Sequence, residues 1–213
     1  MVLAVFVIEA ADAPAAKDKP KVESKETAAK DLFNGKDLAG WKKTEFGGEG
    51  EVEIKDGQII AHLGAQMTGV QYTNSLPTNN YAITFEAMKI EGDDFFGALT
   101  FPVGASHLSL ILGGWGGSVV GLSSLDGMDA SENETTKYIT FKKNQWYKIR
   151  VEVKSELVKV WIDGDEIVNA PLKDRKVSLR PGPIELQAPF GLSTYQTTAA
   201  WRNIRIAPLP AKP

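Results

Sequence analysis

The chain has 213 residues, 43% of them hydrophobic, which is enough for one sizeable core. Its 24 Lys and Arg nearly balance its 27 Asp and Glu, so it lacks the basic footprint that holds a phosphate backbone, and nucleic acid is not an expected partner. With no cysteine and only two histidines, it can form neither disulfides nor thiolate metal sites, and it has too few imidazoles for a multi-histidine centre.

At the start, Val2 to Ile8 (VLAVFVI) is a compact apolar run followed by Ala11-Asp12-Ala13, a small-x-small pattern of the kind cut after export. Residues 1–13 are therefore expected to be part of an export signal of bacterial type, with a periplasmic or secreted destination. The run is well short of the roughly 20 apolar residues that span a bilayer, so no membrane span is expected. Residues 14–30 (PAAKDKPKVESKETAAK) are small, charged and proline-containing, the composition of a linker. One domain is expected over 31–208, with a short tail at 209–213 and a monomeric chain.

Within the domain, Asn34-Gly35 is a turn signal ahead of Trp41. Asp56-Gly57 and Asp163-Gly164 each sit between short alternating runs, the pattern of two-residue hairpins with positive φ at the tip. Further strand-like runs lie at Tyr81–Ile90, Phe95–Phe101, Ser106–Leu112, Trp146–Lys154, Ile184–Ala188 and Ala200–Ile206. Ten or more short strands punctuated by Gly, Asn and Pro, with no long helical period, predict an all-β, two-sheet antiparallel jelly-roll sandwich.

Alternation then sorts side chains, because successive residues of a strand face opposite sides. Tyr147, Ile149, Val151 and Val153 read as inward, leaving Lys148, Arg150, Glu152 and Lys154 on a solvated face. A second face collects Glu86, His107, Ser109, Gln187 and Asn203, shorter polar groups that leave room for a ligand with hydroxyls. The stretch SHLSLILGGWGGSVVGLSSLDGMDASENETTK is expected to rim this face, with Trp115 held among glycines and a loop rich in carboxylates and amides behind it.

Several segments taken together resemble the 3-keto-disaccharide hydrolase domain family: FNGKDLAGW, a Trp-Tyr-x-Ile-x-Val-x-Val strand followed by WIDG, GPIELQ, and the terminal WRNIRI. They occur in the family's order over roughly Asp31 to Ala207. The resemblance implies a concanavalin A-like lectin/glucanase jelly roll, and an exported bacterial protein that cleaves glycosidic bonds of 3-keto sugars. Glu86, in YAITFEAM, matches the family's Glu-bearing strand, and Gln187 matches the Gln of its GPIxLQ segment.

Glycosidic cleavage commonly uses two carboxyl groups, one as acid and one as base or nucleophile. Glu86 with Asp126, or with Asp129 or Glu132 of the loop, is the candidate pair; ordinary exposed sheet and turn positions would look the same in the sequence. A keto sugar offers another route, because the ketone acidifies its neighbouring proton; one base and one electrophile then suffice, and His107 is a candidate participant. Trp115 suits stacking on a pyranose face, with Ser109, Glu132, Asn133, Gln187 and Asn203 as candidate sugar-binding groups. Asn133-Glu134-Thr135 also fits a glycosylation sequon. Asp93-Asp94 beside Gly92 is a possible calcium turn or a plain acidic one, and no other metal or cofactor is expected. The expected partner is carbohydrate. A non-catalytic lectin-like module and a structural cell-envelope protein are the alternatives to an enzyme.

Overall fold

A computed structural model describes residues 29–210; the expected export signal and nearly all of the expected linker lie outside them. Fifteen strands follow one another: β1 (Lys30–Asp31), β2 (Trp41–Lys43), β3 (Val52–Lys55), β4 (Gln58–Ala61), β5 (Met67–Tyr72), β6 (Tyr81–Gly92), β7 (Ala98–Val103), β8 (Ser106–Gly113), β9 (Val119–Ser123), β10 (Lys137–Tyr138), β11 (Trp146–Lys154), β12 (Leu157–Ile162), β13 (Asp165–Pro171), β14 (Gly191–Tyr195) and β15 (Thr197–Pro208). All pairings are antiparallel. The first sheet runs β13-β12-β11-β6-β15-β4-β3, with β1 also on β15, and the second runs β10-β9-β8-β7-β14-β5-β2. This is the expected two-sheet sandwich.

Both predicted hairpins form. Asp56 and Gly57 have φ of 49° and 75°, and Asp163 and Gly164 have 51° and 93°, the left-handed pairs that a two-residue turn matched to strand twist requires. Between the sheets the inward rows meet as predicted: Tyr81, Ile83, Phe85 and Ala87 of β6 face Leu108, Leu110 and Leu112 of β8 in one buried cluster. Trp201 is fully buried there and satisfies its indole by donating to the Phe96 carbonyl at 2.8 Å, as a buried indole N–H must.

Two expectations fail. Ile184–Ala188 is not a strand: Pro183–Gln187 form a 3-10 helix. Pro183 pre-sets its first φ, Glu185 accepts the Gly182 N–H at 3.0 Å, and a cis Ala188-Pro189 bond follows. Leu186 is thereby exposed and Gln187 buried, the reverse of strand alternation.

The second failure concerns the polar face. Strand β6 lies between β11 and β15 in the first sheet, whereas β8 belongs to the second. Glu86 therefore sits opposite Lys148 and Arg202 on the first sheet's solvent side, while Ser109 and His107 lie on the outer side of the other sheet. The side-chain period of two tells inside from outside but not which sheet owns a strand.

Candidate functional site

Across the outer side of the second sheet, antiparallel register places Ser123, Ser109, Thr100 and Gly191 in one row, and Gly121, Ile111, Ala98 and Ser193 in the next. Small side chains keep this surface low enough for other segments to lie on it, and all of these residues are buried. The segment from Lys173 to Pro189 then folds over part of it. It is pinned by backbone bonds between Ser124 and Ser178, 2.8 Å and 3.2 Å long in the two directions. Buried Gln187 lies over Gly191 and donates to Thr44 Oγ1 at 2.7 Å. A Cβ on Gly191 would come within 2.2 Å of Gln187 Oε1, so the close approach depends on glycine.

What remains uncovered is a cleft of about 370 Å³. Ser109, Ser123 and Ile111 supply its floor, and Trp115 and Arg180 stand at its β8–β9 side. Asp94 and Phe95 enter from the turn before β7, and Met67, Tyr195 and Ile184 wall the other side. Trp115 has φ of 48° within a turn of consecutive glycines and is 42% exposed. The Arg180 guanidinium carbon lies 5.9 Å from its ring centre, within cation–π range. One Arg180 nitrogen meets Asp129 Oδ2 at 3.1 Å, and Asp129 Oδ1 accepts the Ser123 hydroxyl at 3.2 Å. Asp94 accepts the Phe95 N–H at 2.7 Å and, at the limit of 3.5 Å, that of Gly116. Its carboxylate thus ties the turn bearing Trp115 to the start of β7.

Of the residues singled out in the sequence, Trp115 and Ser109 line this cleft. The others have different surroundings. Glu86 accepts from Arg202 at 2.8 Å and from Asn203 at 3.2 Å on the opposite face of the sandwich, and Arg202 stacks on Trp146 at 4.0 Å. Neither Glu86 nor Asn203 can share a cleft with Ser109, a correction to the expected acid pair. Asp126 is bound by Arg175 and by the Lys176 N–H, and that N–H, with the guanidinium, holds its carboxyl below the usual range. Glu132 is exposed, its carboxylate 3.4 Å from the Asp129 N–H.

Asn133 is buried, and its amide donates to the carbonyls of Leu122, Met128 and Asp129 at 2.7, 3.1 and 2.8 Å. Its oxygen accepts the Thr135 N–H and hydroxyl. It is the hub of the loop rather than a free sugar ligand or an accessible glycan acceptor. His107 lies on the same outer face as Ser109, two residues along, beyond the cleft lining; burial pushes its pKa down. Asp93 pairs with Lys143 at 3.7 Å while Asp94 serves the Trp115 turn, so the two acids take different partners. Among the described residues no three Asp, Glu or His side chains gather as a metal cluster.

Sequence reading missed Arg180, Ser123, Phe95 and Tyr195. Ser123 had a signal, in that it ends an alternating run like that of Ser109. Arg180 had only its place in a Pro-Gly-rich segment, RPGP.

A profile of the 3-keto-alpha-glucoside-1,2-lyase-like domain matches residues 28–207. The chain belongs to this family. No curated protein matches the sequence. Solved structures share the jelly-roll fold of this lyase-like domain. A Bacillus subtilis protein with a galectin-like fold superimposes with a TM-score of 0.61 at 12% identity, covering 87% of this chain and 99% of its own. A candidate glycosyl hydrolase from Parabacteroides distasonis gives 0.53 at 16% identity, covering 85% and 94%. The carbohydrate-binding module CBM66 from Bacillus subtilis gives 0.50 at 14%, covering 80% and 96%.

Proposed function

We propose that the protein acts on carbohydrate in the Trp115–Arg180 cleft and cleaves a keto-glycoside there. The observation that carries this reading is the combination of a half-exposed indole, a guanidinium held beside it and a carboxylate, Asp94, in one disaccharide-sized cleft floored by serine hydroxyls. Membership of the lyase-like family supports the reaction class.

In this reading a pyranose stacks on Trp115, and Ser109 and Ser123 bond its hydroxyls. Arg180 donates to the ketone oxygen and stabilises the negative charge that develops there as the neighbouring proton leaves. Asp94 is the base that takes this proton from the carbon between the ketone and the anomeric centre. The electron pair forms a double bond to the anomeric carbon, the glycosidic C–O bond breaks, and the departing oxygen takes up the proton that Asp94 accepted. Asp129 holds Arg180 in place.

Product analysis by mass spectrometry tests the reading: the mature domain is incubated with 3-keto and ordinary disaccharides, beside Asp94→Asn and Arg180→Met. Cleavage of a keto-disaccharide that falls at least about a hundredfold in both variants is expected, the scale of losing one acid–base group or charge stabiliser. No cleavage of any sugar, with saturable binding retained, would replace the enzyme by a lectin-like module. One observation favours that second reading: Asp94 and Asp129 both already hold structural partners. Export to the periplasm or medium is part of the proposal and rests on the apolar start and the Ala-Asp-Ala pattern; fractionation of cells expressing the full chain tests it.

A further inference from the structure

The cleft is divided by chemistry. Over β8 and β9 lie Ser109, Ser123, Trp115 and Arg180, the equipment for a sugar. Over β14 and β5, about three strand spacings or roughly 14 Å away, the lining changes to Met67, Tyr195, Phe95, Ile184 and Pro183. Met67 and Tyr195 are direct cross-strand partners, and the Phe95 and Tyr195 rings are 5.8 Å apart.

Met67, Ile184, Phe95 and Tyr195 belong to a second apolar cluster, separate from the core between the sheets. Met67, Ile111 and Ile184 are buried in it, whereas Phe95 and Tyr195 are only half-buried. Packing the Lys173–Pro189 segment onto the sheet accounts for the buried members. It leaves unexplained why two aromatic rings turn part of their surface to an open cleft. A second sugar ring would place hydroxyls against this wall with few partners, since Gln66 and the Tyr195 hydroxyl are the polar groups the described residues bring to that half. Burying polar groups without hydrogen bonds is unfavourable, and burying apolar area here is favourable.

We infer that this half of the cleft receives an apolar, ring-bearing aglycone, so that the preferred ligands are glycosides of hydrophobic alcohols or phenols rather than disaccharides. The inference rests on the sugar-binding reading of the β8–β9 half. It assigns the specificity-determining role to Tyr195, Phe95 and Met67, residues that take no part in the proposed bond-breaking step.

The test compares kcat/KM for benzyl 3-keto-α-D-glucopyranoside, the methyl analogue and 3-keto-trehalose. Benzyl and methyl alkoxides are similar leaving groups, so the aglycone's burial dominates the difference. Burial of the phenyl ring predicts a preference for the benzyl glycoside of about tenfold or more over both others. In Tyr195→Ser, and independently in Phe95→Ser, that preference falls to about threefold or less. Thermal unfolding confirms that each variant folds, and a variant that does not fold leaves the other to decide.

Equal turnover of the three, or a preference for 3-keto-trehalose, overturns the inference while leaving the proposed function standing. If none is cleaved, the proposed reaction falls, and dissociation constants for the same three compounds decide. A benzyl preference that Tyr195→Ser abolishes upholds the aglycone site in a binding module. No preference, or no binding, overturns it.

Discussion

Arg180 and Asp129 meet at 3.1 Å beside the cleft, and this ion pair joins the covering segment to the loop behind β9. The arginine side chain remains 55% exposed while the aspartate is only 17% exposed, so the acid anchors and the base projects. Because the pair is open to water, its contribution to stability is about 1 kcal/mol or less. Arg180→Ala is accordingly expected to lower Tm by no more than a few degrees and to weaken sugar binding about tenfold, with Arg180→Lys losing most of the same affinity because an ammonium lacks the planar fork. Titration calorimetry and thermal unfolding of the two variants measure both effects. Unchanged affinity in Arg180→Ala would remove the arginine from the site.

Asn133→Ala is expected to be far more damaging to the fold. It leaves the buried Thr135 N–H without its partner and removes one hydrogen bond from each of the Leu122, Met128 and Asp129 carbonyls, of which the last two keep backbone donors. A loss of about 2–4 kcal/mol follows from several hydrogen bonds removed in one place and a buried N–H left unpaired, read from urea unfolding. The same burial predicts that the chain expressed in a glycosylating host carries no glycan at Asn133, which its intact mass will show.

Glu86→Gln provides the counterpart on the other sheet. Its partners Arg202 and Asn203 face solvent away from the cleft, so any cleavage activity should change by less than about twofold, and stability by about 1 kcal/mol or less. A large loss of kcat at unchanged stability would mean that the active surface is the first sheet's outer face.

Arg175 binds both Asp126 and Glu134, and both carboxyls are held below their ordinary values, 3.8 and 4.5: Asp126 first by the Lys176 N–H and then by Arg175, and Glu134 first by Arg175. A depressed acid binds fewer protons when folded, so its stabilisation is present above the unfolded value and fades as pH falls through the folded one. The Tm difference between the protein and Arg175→Gln should be constant near neutrality and shrink progressively as pH falls below 4.5 and through the lowered folded-state values. A pH-independent difference would show that Arg175 acts by packing alone. His107 works in the same direction. Its pKa is lowered from 6.5 by burial, so protonation below that value favours the unfolded chain.

The sequence by itself determined most of the longer strands, the two Asp-Gly hairpins, the inward rows and the all-β class, because these depend on local turn chemistry and a side-chain period of two. It also pointed to Trp115, since an indole among glycines is conspicuous whatever the fold, and to the family, through segments in order. Only the tertiary structure decided which sheet owns each strand. Glu86 and Ser109 have the same outward parity on β6 and β8, yet long-range pairing with β15 and β11 carries Glu86 to the opposite face. Arg180 and Tyr195 were hidden for the same reason. Arg180 lies 65 positions after Trp115 in sequence, and the two come together only where the covering segment crosses the sheet. A local pattern fixes which way a side chain points; the partner strand, chosen across the whole chain by burial of the two sheets against each other, fixes what it points at.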